Sequence, residues 1–171
     1  MKQVVSHAQT HKGLVRKLNE DACLDLADSG VWVVADGMGG HAAGDIASQL
    51  VVDTIRLAMQ RGEAASVNLI TQALHQANAE LCRYSQQHLD GHTAGSTVVV
   101  LLLDKVHYHF LWAGDSRGYL LRHQQLRHLG RCHQCRGAGL LCRRLRPRRR
   151  QARVRLGQLP RRPGLSRRSG R

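Results

Sequence analysis

The chain has 171 residues and a formal net charge of +14, which is distributed very unevenly along the sequence. Residues 1–121 hold nine Lys and Arg against all twelve Asp and Glu, whereas residues 122–171 hold seventeen Arg and no acidic residue. No apolar run approaches the roughly 20 residues of a membrane span, and the first residues lack the apolar core of a signal peptide, so we expect a cytoplasmic protein without a membrane partner.

The predicted elements begin with strands. Residues 2–8 and 21–27 are candidate strands, and a turn over residues 28–30 follows. Residues 31–35 form a β-branched apolar run that is typical of a buried strand. The apolar spacing then becomes helical over residues 43–60. The inward face of this helix is expected to comprise Ile46, Leu50, Val51, Thr54, Ile55 and Ala58.

A second helix is predicted to begin at Ser66 or Asn68 and to end near residue 88. The inward face of this second helix is expected to comprise Ile70, Ala73, Leu74, Ala77 and Leu81. Three strand-like runs follow, over residues 96–103, 106–113 and 117–122. Strands, two helices and then a meander of strands predict an α+β fold with antiparallel sheets, not an alternating α/β fold.

Four polar clusters lie at the ends of these elements. They are Arg16 with Asn19-Glu20-Asp21, Asp36-Gly37-Met38-Gly39-Gly40-His41, Thr93-Ala94-Gly95-Ser96-Thr97, and Gly114-Asp115-Ser116-Arg117. Each cluster alone has an ordinary interpretation as a polar strand entrance, a capping turn, a strand start or a β-turn. The glycine-rich turn lacks the lysine of a phosphate-binding loop and the glycine spacing of a dinucleotide site, so we exclude a nucleotide cradle.

In their order and spacing the four clusters resemble the N-terminal half of the PP2C (PPM) family of metal-dependent serine/threonine protein phosphatases, in its bacterial form. The resemblance covers about residues 5–128. It implies the α/β/β/α sandwich of that family, in which antiparallel sheets are flanked by helices. It also implies hydrolysis of phosphoserine and phosphothreonine in proteins by metal-activated water. The implied partners are a cognate serine/threonine kinase and the substrates of that kinase.

The resemblance assigns metal-binding roles to four residues near the first two clusters. Asp36 would bridge two Mg²⁺ or Mn²⁺ ions, and the Gly37 carbonyl would ligate one of them. Asp21 and, less directly, Glu20 would act mainly through metal-bound water. Oxygen ligands suit these hard cations, which keep several waters in proteins. Asp36 is expected to leave a buried strand at a turn where Gly37, without a side chain, does not obstruct the metal.

Other residues receive roles at the rim of this site. Arg16 would bind the substrate phosphate, since its planar guanidinium matches phosphate oxygens better than a lysine does. Asp115 resembles the aspartate that helps to hold a third, weaker metal in bacterial members. His41 is either a proton donor or a solvated turn histidine, and residues 93–97 are expected to be a closely packed strand start.

The composition divides the chain into a phosphatase-like part, residues 1–128, and an Arg-rich tail, residues 129–171. The family pattern continues with two further metal-binding aspartates, but this sequence has no acidic residue after Asp115. We therefore expect impaired activity, and exposed apolar faces over residues 31–35 and 96–103. The alternative is a non-catalytic pseudophosphatase or an Arg-tailed protein that binds nucleic acid non-specifically.

Three interpretations of the tail remain open: a basic arm, a zinc site, and a reading-frame error. The zinc ligands would be Cys132, His133, Cys135 and Cys142, although a single Cys-x-x-Cys is a weak signal. A GC-rich gene read out of frame also yields arginine and glycine. Moving the frame forward by one nucleotide over residues 131–138 permits Asp-Val-Thr-Asn-Ala-Val-Gly, which resembles a segment that the family carries near this point. We expect no packed core over residues 131–171.

Overall fold

The apolar runs of the sequence become the strands of two antiparallel sheets. The computed structural model describes residues 4–39, 43–90 and 93–129 and the backbone of residues 138–144 and 153–157. The elements in chain order are β1 (Asp21–Leu26), a 3-10 turn (Ala27–Ser29), β2 (Val31–Met38), α1 (Ala43–Gln60), α2 (Val67–His88), β3 (Gly95–Leu103), β4 (His107–Ala113), β5 (Arg117–Arg122), β6 (Gln125–Leu129), β7 (Ala138–Arg144) and β8 (Arg153–Gly157).

The strands form a five-stranded sheet in the order β1-β2-β3-β4-β7 and a three-stranded sheet in the order β6-β5-β8. Every pair of neighbouring strands is antiparallel. The predicted α+β fold class with antiparallel sheets is therefore confirmed. None of the described helices combines the length and apolar character needed to cross a membrane.

One face of the five-stranded sheet packs against the helices. Val31, Val33 and Ala35 of β2 are almost fully buried on this face, and α1 packs over them. Burying a side chain such as Val contributes roughly 1.5–3 kcal/mol, so a slip of one residue in β2 would lose several such contributions at once. The register of β2 is therefore strongly fixed, and alternate residues, including Asp36, must project from the opposite face.

The opposite face of the large sheet contributes to a second, smaller core. Val99 of β3 and Phe110 of β4 pack there with Leu129 of β6, so the second sheet lies over this face. Residues 31–33, 35 and 98–102 are consequently buried, and Val34 and Leu103 are half-buried. The expectation that their apolar faces are exposed is wrong, because the three-stranded sheet supplies the missing cover.

The helices begin and end close to their predicted positions. The Ser66 hydroxyl accepts a hydrogen bond from the Leu69 amide at 3.2 Å and so caps α2. Ile46 is the exception on the predicted face of α1, since it is 38% exposed while Ala47 and Val52 are buried. The helix is rotated so that small residues face the sheet, and helical spacing alone does not determine that rotation.

The strands differ from the prediction in three main respects. Residues 4–8 of the first candidate strand are not in a strand, and they contact β1 through the hydrogen bond that Ser6 Oγ donates to Asp25 Oδ1. A side-chain bond of this kind does not replace a backbone ladder. β2 continues to Met38 instead of ending at Ala35, and β6 was not predicted.

The Arg-rich tail contributes two strands to these sheets. β7 pairs with β4, and β8 pairs with β5, so each satisfies backbone groups along an otherwise open strand edge. Residues 138–144 and 153–157 are thus paired strands, whereas the absence of a packed core over residues 131–171 stays a prediction. The side chains of residues 130–171 lie outside the described residues, so the zinc site, the basic arm and the domain boundary at residue 128 stay predictions.

Candidate functional site

Two aspartates lie side by side at one end of the five-stranded sheet. Asp21 of β1 is the register partner of Asp36 of β2 in the antiparallel ladder. Directly opposed residues project from the same face of an antiparallel sheet. Because their neighbours Ala22 and Ala35 are buried on the helix side, the two carboxylates share the other face.

The electrostatics of Asp36 reflect this crowding of negative charge. The pKa of Asp36 is raised to about 6, first because the carboxyl is partly buried and then because of the charge of Asp21 and a hydrogen bond with it. The charge of Asp115 adds to this effect, whereas Arg16 opposes it. The structure thus brings these four predicted residues into one electrostatic neighbourhood. A cation would stabilise the ionised form of Asp36 there.

Arg16 lies at the exposed rim of this neighbourhood. Its guanidinium forms an ion pair with the Glu20 carboxylate, and its side chain is 61% exposed. An ion pair at such exposure contributes only about 0–1 kcal/mol, so Arg16 can exchange Glu20 for a phosphate at small cost. The geometry is compatible with the phosphate-binding role predicted for Arg16.

Glu20 is oriented toward the helix side of the sheet. Its backbone carbonyl accepts a hydrogen bond from the Gly37 amide at 2.8 Å, and its side chain lies beside Gly44 at the start of α1. Glu20 therefore binds Arg16 and supports the β2–α1 junction. The structure does not bring its carboxylate into the pair formed by Asp21 and Asp36.

Position 37 requires a glycine for a different physical reason from the one predicted. A Cβ on Gly37 would stand 1.8 Å from the carbonyl oxygen of Gly44 and 2.8 Å from that of Glu20. The missing side chain therefore leaves room for α1 and not for a metal. Gly37 also lies within β2, so Asp36 precedes the end of its strand by two residues.

Hydroxyl side chains connect Asp36 to the turn that carries Asp115. The Asp36 amide donates to Thr97 Oγ1 at 3.3 Å, and Thr97 Oγ1 shares a 2.6 Å hydrogen bond with Ser116 Oγ. Ser96 Oγ donates to the Asp36 carbonyl oxygen at 3.2 Å. The predicted packing role of residues 93–97 is consistent with these bonds. Ser116 was not predicted as a site residue. The hydroxyl residues in the third and fourth clusters were a signal that could have indicated it.

A cavity of about 420 Å³ adjoins Asp21 along the exposed edge of β1. Three carboxylates stand among its walls, and that of Asp53 also forms an ion pair with Arg56. The residues that line it are Asn19, Asp21, Asp45, Ile46, Ser48, Gln49, Leu50 and Asp53.

The donor set fits a hydrated divalent cation. Asp21 and Asp36 offer carboxylate oxygens on one face, and the pKa of Asp36 is raised by burial and by the charge of Asp21 even with Arg16 opposing the shift. Among the described residues no group of three His, Cys, Asp or Glu could hold a metal ion. Mg²⁺ and Mn²⁺ retain several waters in such sites, so two carboxylates provide part of the ligand shell. His41 lies outside the described residues.

Comparison with known proteins decides the family. The model of the family described as protein phosphatase 2C matches residues 9–152 of this chain. The chain belongs to the protein phosphatase 2C family. The match confirms the resemblance of the four clusters, and it extends beyond the predicted boundary at residue 128.

Curated relatives of this family member are bacterial phosphatases. The serine/threonine phosphatase stp of Listeria monocytogenes is 33% identical over 137 residues, which cover 74% of this chain and 54% of the relative. The serine/threonine protein phosphatase PstP of Mycobacterium tuberculosis is 35% identical over 122 residues, covering 70% of this chain and 23% of PstP. The chain thus spans about half the length of the Listeria relative.

Solved structures confirm the protein phosphatase 2C fold. The catalytic domain of PstP in complex with two manganese ions has a TM-score of 0.73 at 26% identity, covering 86% of this chain and 74% of that one. PppA, described as a key regulatory component of the type VI secretion system in Pseudomonas aeruginosa, has a TM-score of 0.65 at 36% identity, covering 81% and 71%. The two sheets and two helices described above are part of this fold.

Proposed function

We propose that this chain is the metal-binding portion of a protein serine/threonine phosphatase that hydrolyses phosphoserine and phosphothreonine esters. The observation that carries the proposal is the Asp21–Asp36 pair on one face of the large sheet, with Arg16 at its rim. The family match and the manganese ions in the PstP structure support it.

Different residues of the chain would bind the cation and the substrate phosphate. Asp21 and Asp36 would hold Mg²⁺ or Mn²⁺, which supplies Lewis acidity and an ionised water for attack on phosphorus. Asp36 would lose its proton when the cation binds, because positive charge lowers a raised carboxyl pKa. Arg16 would bind two phosphate oxygens with its planar fork and orient the ester.

Three further residues would have roles at the same site. The Gly37 carbonyl would provide a further oxygen ligand, and Asp115, which raises the pKa of Asp36 through its charge, would help to hold a third, weaker ion. Glu20 would act indirectly, by holding Arg16 in place until phosphate arrives. The substrates would be phosphoproteins made by a serine/threonine kinase, since hydrolysis of these esters opposes the transfer that forms them.

The test measures cation binding and ester hydrolysis on the same preparations. We expect the 171-residue chain to bind Mn²⁺ in calorimetry and to release phosphate from p-nitrophenyl phosphate and a phosphothreonine peptide only when Mn²⁺ is present. Asp36→Asn should remove both properties, and Arg16→Ala should raise KM while leaving Mn²⁺ affinity nearly unchanged. Asp28→Asn, beyond the far end of β1, serves as the matched control.

Two results would change this conclusion. A chain that binds no Mn²⁺ under conditions that load PstP would overturn the metal site. Binding of Mn²⁺ without any Asp36-dependent phosphate release would assign the chain to the non-catalytic pseudophosphatases.

A further inference from the structure

The hydroxyl of Thr97 lies between the two segments that carry Asp36 and Asp115. It accepts the Asp36 amide hydrogen at 3.3 Å on one side and shares a 2.6 Å hydrogen bond with Ser116 Oγ on the other. Thr97 is also the register partner of Asp36 across the β2–β3 ladder. One side chain therefore touches both the strand of the first carboxylate and the turn of the second.

The turn is shaped to bring its hydroxyl to Thr97. Gly114 has a φ of +94°, a left-handed conformation that favours glycine, and a Cβ there would stand 2.7 Å from Thr97 Cγ2. Ser116 is only 8% exposed although its residue type is polar. A buried hydroxyl that lost its partner would leave an unsatisfied polar group, so the Thr97–Ser116 bond holds the turn in one place.

We propose that Thr97 is a positioning residue of the metal site, whose hydroxyl fixes the Asp115 turn relative to Asp36 so that both carboxylates would be held in place for the cations that the site binds. This inference rests on the proposed function, since it concerns how the same site binds its metal. Thr97 itself supplies no ligand in this scheme. Its effect passes through Ser116 and the backbone of Asp36.

The experiment compares isosteric and conservative variants. Thr97→Val keeps the shape of the side chain but removes the hydroxyl, and Thr97→Ser keeps the hydroxyl. Thr54→Val is the matched control, because Thr54 is a buried threonine whose hydroxyl bonds to the Leu50 carbonyl within α1, away from the carboxylates. Mn²⁺ affinity is measured by calorimetry, and stability by urea unfolding in EDTA.

We expect Thr97→Val to weaken Mn²⁺ binding about tenfold, which is the usual scale for losing a residue that orients metal ligands. Thr97→Ser should restore the affinity to nearly that of the original chain. Thr54→Val should lower stability without changing Mn²⁺ affinity. In an Asp115→Asn background, Thr97→Val should cost much less affinity, because the carboxylate that it positions is already gone.

A merely structural threonine behaves differently. If Thr97→Val lowers urea stability as Thr54→Val does but leaves Mn²⁺ affinity unchanged, the positioning role is overturned while the metal site stands. The positioning role is also overturned if the loss of affinity is equally large in the Asp115→Asn background. An original chain that binds no Mn²⁺ overturns the proposed function and this inference together.

Discussion

The backbone of Gly37 in β2 lies directly against the carbonyl oxygen of Gly44 in α1. A Cβ added to Gly37 would stand 1.8 Å from that oxygen, a separation that no side chain tolerates. The contact sets how closely α1 approaches the sheet, and Asp36 is the adjacent residue in the strand. The helix packing and the carboxylate pair are therefore mechanically linked.

Gly37→Ala should be strongly destabilising, because neither backbone can move without displacing α1. Overpacking of a tight site costs about 1–3 kcal/mol, and backbone contacts place this substitution at or above the upper end. Gly95→Ala is the matched control, since its Cβ would meet the flexible end of Met38 at 3.4 Å. Urea unfolding in EDTA measures both. Equal stabilities for the two variants would contradict the contact.

Asp104 stabilises the turn between β3 and β4. Its Oδ1 accepts the amides of Val106 at 2.7 Å and His107 at 2.5 Å. Asp104→Ala leaves these amides without their partner and should cost about 1 kcal/mol. Asp104→Asn keeps an acceptor and should lose less. Thermal unfolding of the two variants provides the check, and an alanine variant as stable as the asparagine variant would argue against this role.

The same turn makes a prediction about pH. The two amide hydrogen bonds, first that of Val106, hold the pKa of Asp104 well below its usual range. A carboxyl with a depressed folded-state pKa stabilises the fold above its unfolded pKa, about 4, and loses that contribution as the pH falls further. The stability difference between the original chain and Asp104→Asn should therefore be constant from about pH 7 to about pH 5 and shrink below about pH 4.

Asp36 should have the opposite dependence in metal-free protein. Its pKa is about 6 in the folded chain, mainly because of burial and the charge of Asp21, against about 4 when unfolded. The folded state then binds more protons in this interval, so stability falls as the pH rises from about 4 to about 6. Asp36→Asn should abolish the fall and be the more stable chain at about pH 7 in EDTA.

Two neighbours of Asp36 provide matched tests of its pH dependence. Asp21→Asn removes the charge that raises the Asp36 pKa, so the loss of stability should shift to lower pH. Arg16→Ala removes the charge that lowers this pKa and should shift the loss to higher pH. Urea midpoints measured across this range decide the matter, and shifts in the same direction for both variants would refute the assignment.

The sequence predicted the elements better than their packing. Helix α1 over Ala43–Gln60 and the β-branched run of β2 carry periodic signals that depend only on local spacing. The burial of Ala47 in place of Ile46 depends on how closely α1 approaches Gly37, which is a tertiary contact. Residues 4–8 have strand-forming side chains but no ladder partner among the described residues, and propensity alone does not supply one.

The site was predictable to a similar extent. Asp21, Asp36, Asp115 and Arg16 were predicted as site residues from the order of motifs that resemble one family, and the structure places them in one electrostatic neighbourhood. The bond between Thr97 and Ser116 joins residues 19 positions apart and depends on the register of β3 and on the left-handed Gly114. Such a bond follows from three-dimensional packing, which no spacing rule in a single sequence contains.

The 171-residue chain should be a weak catalyst. No acidic residue follows Asp115 in this sequence, so Asp21 and Asp36 would have to compensate two bound dications largely alone. Loosely held cations place the attacking water poorly, and a misplacement of about 1 Å can cost about 100-fold in rate. We therefore expect Mn²⁺-dependent turnover to be at least about 100-fold below that of the PstP catalytic domain assayed alongside.

Whether a reading-frame error causes this low turnover can be tested directly. Advancing the reading frame by one nucleotide between codons 122 and 131 should yield a continuation that contains carboxylates, and Mn²⁺ affinity and turnover should then rise together. Asp36→Ala in the reframed chain should abolish both, which shows that the recovered activity uses the same site. Sequencing the gene across codons 122–135 tests the frame independently of any assay. If the 171-residue chain turns over phosphothreonine peptide as fast as the reframed chain does, and Asp36→Ala stops it, then the carboxylates up to Asp115 suffice for catalysis.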